Sequence, residues 1–213
     1  MKVVDFSKRN TVVNKFIAEL RDVNVQVDRM RFRRNIERIG EIMAYEISKE
    51  LNYDVEDITS PLGIAEVSLP QDQVVAATIL RAGVPLHQGV LNIFDDADNA
   101  FVSAYRNIDE DDIHVEYISS PDIDGKTLIL CDSMLATGNS MQLAYEALLC
   151  KGTPSRLFIC SVIASREALE YLQENLPEDA TLYVAAVDEL LDQHKFIVPG
   201  LGDAGNLAFG SKN

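Results

Sequence analysis

The chain has 213 residues, 47% hydrophobic and 25% charged, ample apolar material for the core of one ordinary domain. Its net charge of −15 excludes the positive field that a non-specific nucleic-acid binder needs. No segment approaches the roughly 20 unbroken apolar residues that span a bilayer. The opening MKVVDFSKRN has no apolar run ahead of a small-residue cleavage site, so a cytoplasmic protein without membrane contact is expected.

Ten of the nineteen Lys and Arg fall in residues 1–38. From Met30 to Leu51 apolar residues recur at Ile36, Ile39, Met43, Ile47 and Leu51, and these steps of three and four predict one long amphipathic helix. Arg29, Arg33, Arg34 and Arg38 line its polar face, as a solvated surface or as an oligomer or effector contact. Tyr53 to Gln73 is rich in β-branched residues and turn signals. VVAATIL (74–80) is a short continuous apolar run, the mark of a strand buried on both faces of a parallel sheet. RAG interrupts it, and VPLHQGVLNIF has helical character. FVSAY (101–105) and the alternating IHVEYI (113–118) read as strands. Residues 95–124 hold ten acids and one basic residue, Arg106, which suggests a specific task for that arginine. TLILC (127–131) is another buried strand, followed by a loop and a helix from about Gly138 to Lys151. RLFICSVI (156–163), the helix SREALEYLQENL and TLYVAAV (181–187) complete the series. Strands alternating with helices imply βαβ units, hence an α/β fold with a mostly parallel sheet flanked by helices. The tail 188–213 is glycine-rich and does not read as another such unit. The expected organisation is one domain over 1–213, with 1–60 as an N-terminal helical or oligomer segment.

Cys131, Cys150 and Cys160 have no CxxC spacing and are odd in number, which points to free thiols. His87, His114 and His194 show no ligand spacing.

In an open parallel sheet, ligands sit beyond the carboxyl ends of strands. After TLILC come Asp132, Ser133, Met134, Leu135, Ala136, Thr137, Gly138, Asn139 and Ser140, then a helix. Small hydroxyl residues and a glycine entering a helix present unpaired N–H groups and the positive end of the helix dipole to an anion such as a phosphate monoester. The competing structural reading makes Thr137 or Ser140 a simple helix cap. A Walker loop is excluded, because the glycine-lysine-hydroxyl ending is missing.

Strand-DSMLATGNS-helix resembles the phosphoribosyl pyrophosphate loop of the type I phosphoribosyltransferases, and is specifically similar to its uracil phosphoribosyltransferase version. ILRAG (79–83) resembles that family's pyrophosphate loop, Tyr105-Arg106 its tyrosine-arginine pair, and FIVPGLGDAGNLAFG (196–210) its uracil-binding segment. RFRRNIERIGEIMAYE (31–46) is similar to the family's first helix. The resemblance implies a type I phosphoribosyltransferase fold and the joining of uracil to phosphoribosyl pyrophosphate, giving uridine monophosphate and pyrophosphate. It implies that Arg81 and Arg106 bind pyrophosphate, that Asp132 holds the ribose hydroxyls and that 133–140 hold the 5-phosphate. Uracil would be read by main chain near Ile197, Gly202, Asp203 and Ala204, with Asp203 also reaching the ribosyl pyrophosphate through magnesium and water. Asp132, Asp203 and Arg106 are the implied catalytic set. Gly83 is expected to let the backbone turn sharply. The family further implies a homodimer or homotetramer and a GTP effector.

Ser133 stands where the family has proline, Asn139 where it has a second glycine and Asn206 where it has aspartate, and the acidic NIDEDD (107–112) replaces the loop after Tyr-Arg. Two other readings are open, transfer to a different base and a pyrimidine-operon RNA regulator of related fold, whereas the sequence excludes a dinucleotide site at the GxGxxG of 200–205. Such a site needs an acid about 20 residues on, and only eight residues follow Gly205.

Overall fold

The computed structural model describes residues 1–107 and 112–211, and the side chains of all of these except 104–107 and 112–115. In chain order the elements are β1 (Lys2–Asp5), α1 (Val13–Arg21), α2 (Arg29–Ser48), β2 (Tyr53–Ser60), β3 (Gly63–Pro70), β4 (Val74–Leu80) and α3 (Val84–Leu91). There follow β5 (Asp98–Asn107), β6 (Asp112–Ser119), β7 (Thr127–Leu135), α4 (Asn139–Leu148), β8 (Arg156–Ser165), α5 (Arg166–Asn175) and β9 (Thr181–Asp188). The tail contributes β10 (Leu190–Leu191), β11 (Ile197–Val198) and α6 (Ala204–Phe209).

Seven strands form the main sheet in the order β1-β9-β8-β7-β4-β5-β6, and every neighbouring pair is parallel except β5 with β6. The apolar runs of β4, β7, β8 and β9 are buried along almost their whole length because helices cover both faces. On one face α2 contributes Phe32, Ile36, Ile39, Met43 and Ile47 to the core. On the other, α4 and α5 contribute Met141, Ala144, Leu148, Ala168 and Leu172. From β4 the chain winds outward to β5 and β6, and from β7 the opposite way to β8 and β9. The β4–β7 boundary is therefore the topological switch point, where such sheets open a crevice.

Three elements differ from the sequence expectation. The turn-rich stretch 53–70 is a two-stranded antiparallel hairpin, β2–β3, separate from the main sheet and exposed at nearly every position. β1 lies at the sheet edge, with Lys2–Asp5 beside Thr181–Val184. β7 runs on to Leu135, since β8 also continues and Met134 and Leu135 align with Ile163 and Ala164. The loop before α4 is thus only 136–138, with Asp132 and Ser133 inside the strand.

The arginines of α2 are taken up locally. Arg34 pairs with Glu37 at 2.5 Å and Glu41 at 3.1 Å, Arg31 pairs with Glu19 at 2.9 Å, and Arg38 lies over the Phe16 ring. Arg33 reaches the tail, where its Nη1 donates to the Ala208 carbonyl at 2.7 Å. No described helix is long and apolar enough to cross a membrane.

Candidate active site

A cleft of about 500 Å³ opens at the switch point. Its walls come from three distant stretches: 79–82 at the end of β4, 132–134 with Ala136 and Ser140 around the end of β7, and the tail residues 195–196 and 202–206. A smaller hollow of about 80 Å³ adjoins it, bounded by Asp132, Leu135, Thr137, Gly138 and Met141 among others. Arg81, Asp132, Ser133, Met134, Ala136, Ser140, Gly202, Asp203 and Ala204 share the main cleft, and Leu135, Thr137 and Gly138 line the hollow. Asn139 is exposed at the start of α4, and Ile197 is buried behind the tail wall. The side chain of Arg106 lies outside the described residues, as do residues 108–111 of the acidic stretch.

Gly138 caps α4 in the left-handed conformation, φ 87°, with no side-chain cap. The reading of Thr137 or Ser140 as the cap therefore does not hold; Met141 N donates to the Gly138 carbonyl, and no side chain caps the Asn139 and Ser140 N–H groups at the start of the helix that borders the hollow. A Cβ on Gly138 would also crowd Tyr171 at 3.0 Å and Leu172 at 3.1 Å. α5 braces the loop in a second way, because Ser165 Oγ donates to the Ala136 carbonyl and accepts from Ala168 N. Gly83 has ordinary helical angles, φ −70° and ψ −20°, so a sharp turn is not its reason. Space is: a Cβ there would lie 2.5 Å from Thr78 Oγ1 and 2.7 Å from the Cys131 carbonyl.

The half-buried Asp132 points into the cleft from β7. Burial pushes its carboxyl up to about 7, against the Ser133 and Met134 N–H groups, which favour the charged form. The Ser133 N–H lies 2.7 Å from Asp132 Oδ1, a bond that proline at this position could not make. Two buried polar atoms at the cleft have no partner among the described residues, Arg81 Nε and Ser133 Oγ. Arg81 also spans the opening, with Nη2 donating to the Gly210 carbonyl at 3.2 Å. A buried guanidinium N–H without an acceptor is costly unless an anion satisfies it.

Asp203 is the N-cap of α6: Oδ1 accepts from Asn206 N at 2.8 Å and Oδ2 from Asn206 Nδ2 at 2.9 Å. It closes a turn and lines the cleft at once. Had residue 206 been aspartate, its carboxylate would repel that of Asp203 instead of donating to it. Among the described residues no three His, Cys, Asp or Glu gather around a metal position. Asp132 and Asp203 on a shared cleft suit a hydrated magnesium ion held chiefly by the oxygens of a substrate.

Sequence reasoning missed Lys195 and gave no role to Phe196 within the 196–210 segment; both line the cleft. Lys195 is the one basic residue between Arg166 and Lys212, a usable signal, but only the β10–β11 turn carries it to the opening. His87 is buried, with Nε2 3.2 Å from the Ala76 carbonyl and its ring edge-on to Phe101, a packing role.

A doubly wound parallel sheet with an uncapped, glycine-led helix and an aspartate at the switch point, faced by an arginine from the neighbouring strand, places the chain among the type I phosphoribosyltransferases. Residues 7–211 match the family described as uracil phosphoribosyltransferase. A uracil phosphoribosyltransferase of Porphyromonas gingivalis is 56% identical over 215 aligned positions that cover 100% of both chains. One from Methanothermobacter thermautotrophicus is 36% identical over 99% of this chain and 95% of its own. Among solved structures, a protein from Aquifex aeolicus aligns with a TM-score of 0.88 at 25% identity, covering 98% of each chain. The chain belongs to the uracil phosphoribosyltransferase family.

Proposed function

We propose that this pentosyltransferase joins N1 of uracil to the anomeric carbon of phosphoribosyl pyrophosphate, releasing pyrophosphate and forming uridine monophosphate. The observation that carries the reading is the meeting of a phosphate-sized hollow, an arginine whose Nε has no partner among the described residues, and the glycine-rich tail at one switch-point cleft. The 5-phosphate docks at 136–140, on the uncapped N-terminus of α4. Asp132, with Ser133 and Met134 beside it, accepts hydrogen bonds from the ribose hydroxyls. Arg81 and Arg106 hold the pyrophosphate and stabilise the charge that grows on it as its bond to the sugar breaks. Main-chain groups at Ile197, Gly202 and Ala204 read uracil, and Asp203 reaches the pyrophosphate through water. Magnesium, when bound, neutralises pyrophosphate charge. The protein's share of the catalysis is alignment of the base with a cation-like sugar and stabilisation of the leaving group.

We take residues 1–213 as one catalytic domain acting in the cytoplasm, in keeping with Cys131, Cys150 and Cys160 being free thiols. A homodimer or homotetramer is supported by the isolated β2–β3 hairpin. It exposes Val55, Ile58, Leu62 and Ile64 to solvent, and a two-stranded hairpin of this kind is marginal without a partner. A GTP effector rests on the family resemblance alone. The deciding experiment is pyrophosphate release with uracil, cytosine, orotate or hypoxanthine as acceptor. Release with uracil alone is expected; equal or faster release with another base would reassign the substrate.

A further inference from the structure

Arg21, at the end of α1, and Asp188, at the end of β9, stand 167 residues apart in sequence. Their guanidinium and carboxylate form a two-bonded fork, with both N–O distances 2.8 Å. Asp188 is only 7% exposed, so loss of its partner would leave a buried charge uncompensated. The pair does not close on itself, because both partners also bind the main chain of one tail residue, Gly200. Asp188 Oδ2 accepts from Gly200 N at 2.8 Å, and Arg21 Nη1 donates to the Gly200 carbonyl at 2.9 Å. Gly200 is buried and left-handed, φ 61°. Its α-carbon packs so closely on the Ile197 carbonyl that a Cβ there would run into that oxygen. Gln26, just beyond α1, adds a bond from Nε2 to the Leu20 carbonyl and a longer one to the Leu201 carbonyl at 3.4 Å.

The ion pair thus fixes both polar groups of Gly200, and Gly200 in turn backs the carbonyl of Ile197 and leads directly into Gly202. From this geometry we infer that Arg21 and Asp188 are positioning residues for the base, setting uracil affinity through Gly200 without touching the substrate. The inference rests on the proposal that main chain at 197–204 reads uracil. Main-chain recognition needs such a device: no side-chain rotamer can be tuned, so selectivity depends on where the backbone is held. Burial by itself would raise the Asp188 carboxyl, but the Arg21 fork and the Gly200 N–H outweigh it and hold it below the usual range, in line with a charged clamp.

Two variants test the clamp in the full-length enzyme. Arg21→Lys keeps the charge and loses the fork, and Asp188→Asn keeps an acceptor for the Gly200 N–H and loses the charge. Each should raise the KM for uracil about ten- to a hundredfold, the scale of one lost hydrogen bond to a charged group, while KM for phosphoribosyl pyrophosphate and kcat stay within about twofold. Folded variants with an unchanged uracil KM, or with both KM values raised equally, would overturn the inference. The underlying proposal has its own readout, amide exchange in the wild-type protein with uridine monophosphate against ribose 5-phosphate. Extra protection of 197–204 by the base-bearing ligand supports it. No extra protection removes the proposal, and the clamp's role in base binding with it.

Discussion

The two walls of the cleft are held in different ways. The phosphate wall grows out of β4 and β7, strands buried nearly end to end, and its loop leans on α5 through Tyr171 and Leu172. Apolar packing fixes it, and any displacement there disturbs the main core. The tail wall has two-residue strands and a six-residue helix; Ile197, Leu201, Ala204 and Ala208 seat it in the core, and polar links add to that packing: Arg21 with Asp188, Arg33 to Ala208 and Asp203 to Asn206. A group with high charge and fixed geometry is met by the rigid wall. A flat, neutral base is met by backbone that polar anchors can place and that a few substitutions could re-aim.

Gly138→Val should separate the walls most sharply. A branched side chain at φ 87° pays for the left-handed backbone and for overpacking against Tyr171 and Leu172, together about 3–5 kcal/mol of stability. Sequence reasoning alone would expect this variant to lose affinity for phosphoribosyl pyrophosphate while folding intact; the crowding at Tyr171 and Leu172 bears on the folding half of that expectation. Denaturant unfolding at a shifted midpoint is the measurement, and a wild-type midpoint would mean the phosphate wall is not held by packing.

On the tail wall, Asp203→Asn should leave stability nearly untouched, since asparagine caps a helix as well as aspartate does. Turnover should fall by one to three powers of ten, roughly 1.4–4 kcal/mol in the barrier, with uracil affinity little changed. Unchanged turnover would reduce Asp203 to its capping role.

Asp132→Asn inverts the usual cost of a mutation. The carboxyl of Asp132 is raised in the folded protein to about 7, from 3.8 when unfolded, so it costs nothing below about pH 4 and its full penalty is felt above about pH 7. The variant, measured free of substrate, should therefore be more stable than wild type at pH 8. After screening at the half-exposed cleft wall the gain is about 1–2 kcal/mol, or roughly 2–8 °C in Tm. The gain should shrink to nothing as the pH falls to 4, and activity should be lost throughout. An equal gain at both pH values would show that charge is not its source.

The smallest effect is expected for Asn206→Ala. It removes the Nδ2 bond to Asp203 and keeps the main-chain N–H, at about 0.5–1.5 kcal/mol. Turnover should drop about two- to tenfold while KM for uracil is unchanged. A change confined to uracil KM would place Asn206 with the base instead.

Much of the phosphate wall was legible in the sequence, because a strand buried on both faces must be continuously apolar and a phosphate site at its end must be small and glycine-bearing. VVAATIL matches β4 residue for residue, and TLILC locates β7, although the strand continues to Leu135 beside β8. The hairpin 53–70 was less legible, since both of its faces are exposed and it therefore lacks the alternation that marks a half-buried strand. The tail has no periodicity at all, and only its likeness to a known segment pointed to a base site.

What the sequence determined by itself was local: which runs are strands and helices, where a glycine opens a phosphate site, and which residue types can meet pyrophosphate. Those properties follow from side-chain size, branching and charge within a few neighbouring positions. Tertiary structure decided which of them face one another. It set β1 against β9, brought Lys195 to the cleft, left Arg81 Nε without a partner among the described residues and joined Arg21 to Asp188 across 167 residues. A pairing over that separation depends on the order of strands in the sheet, which no local pattern encodes.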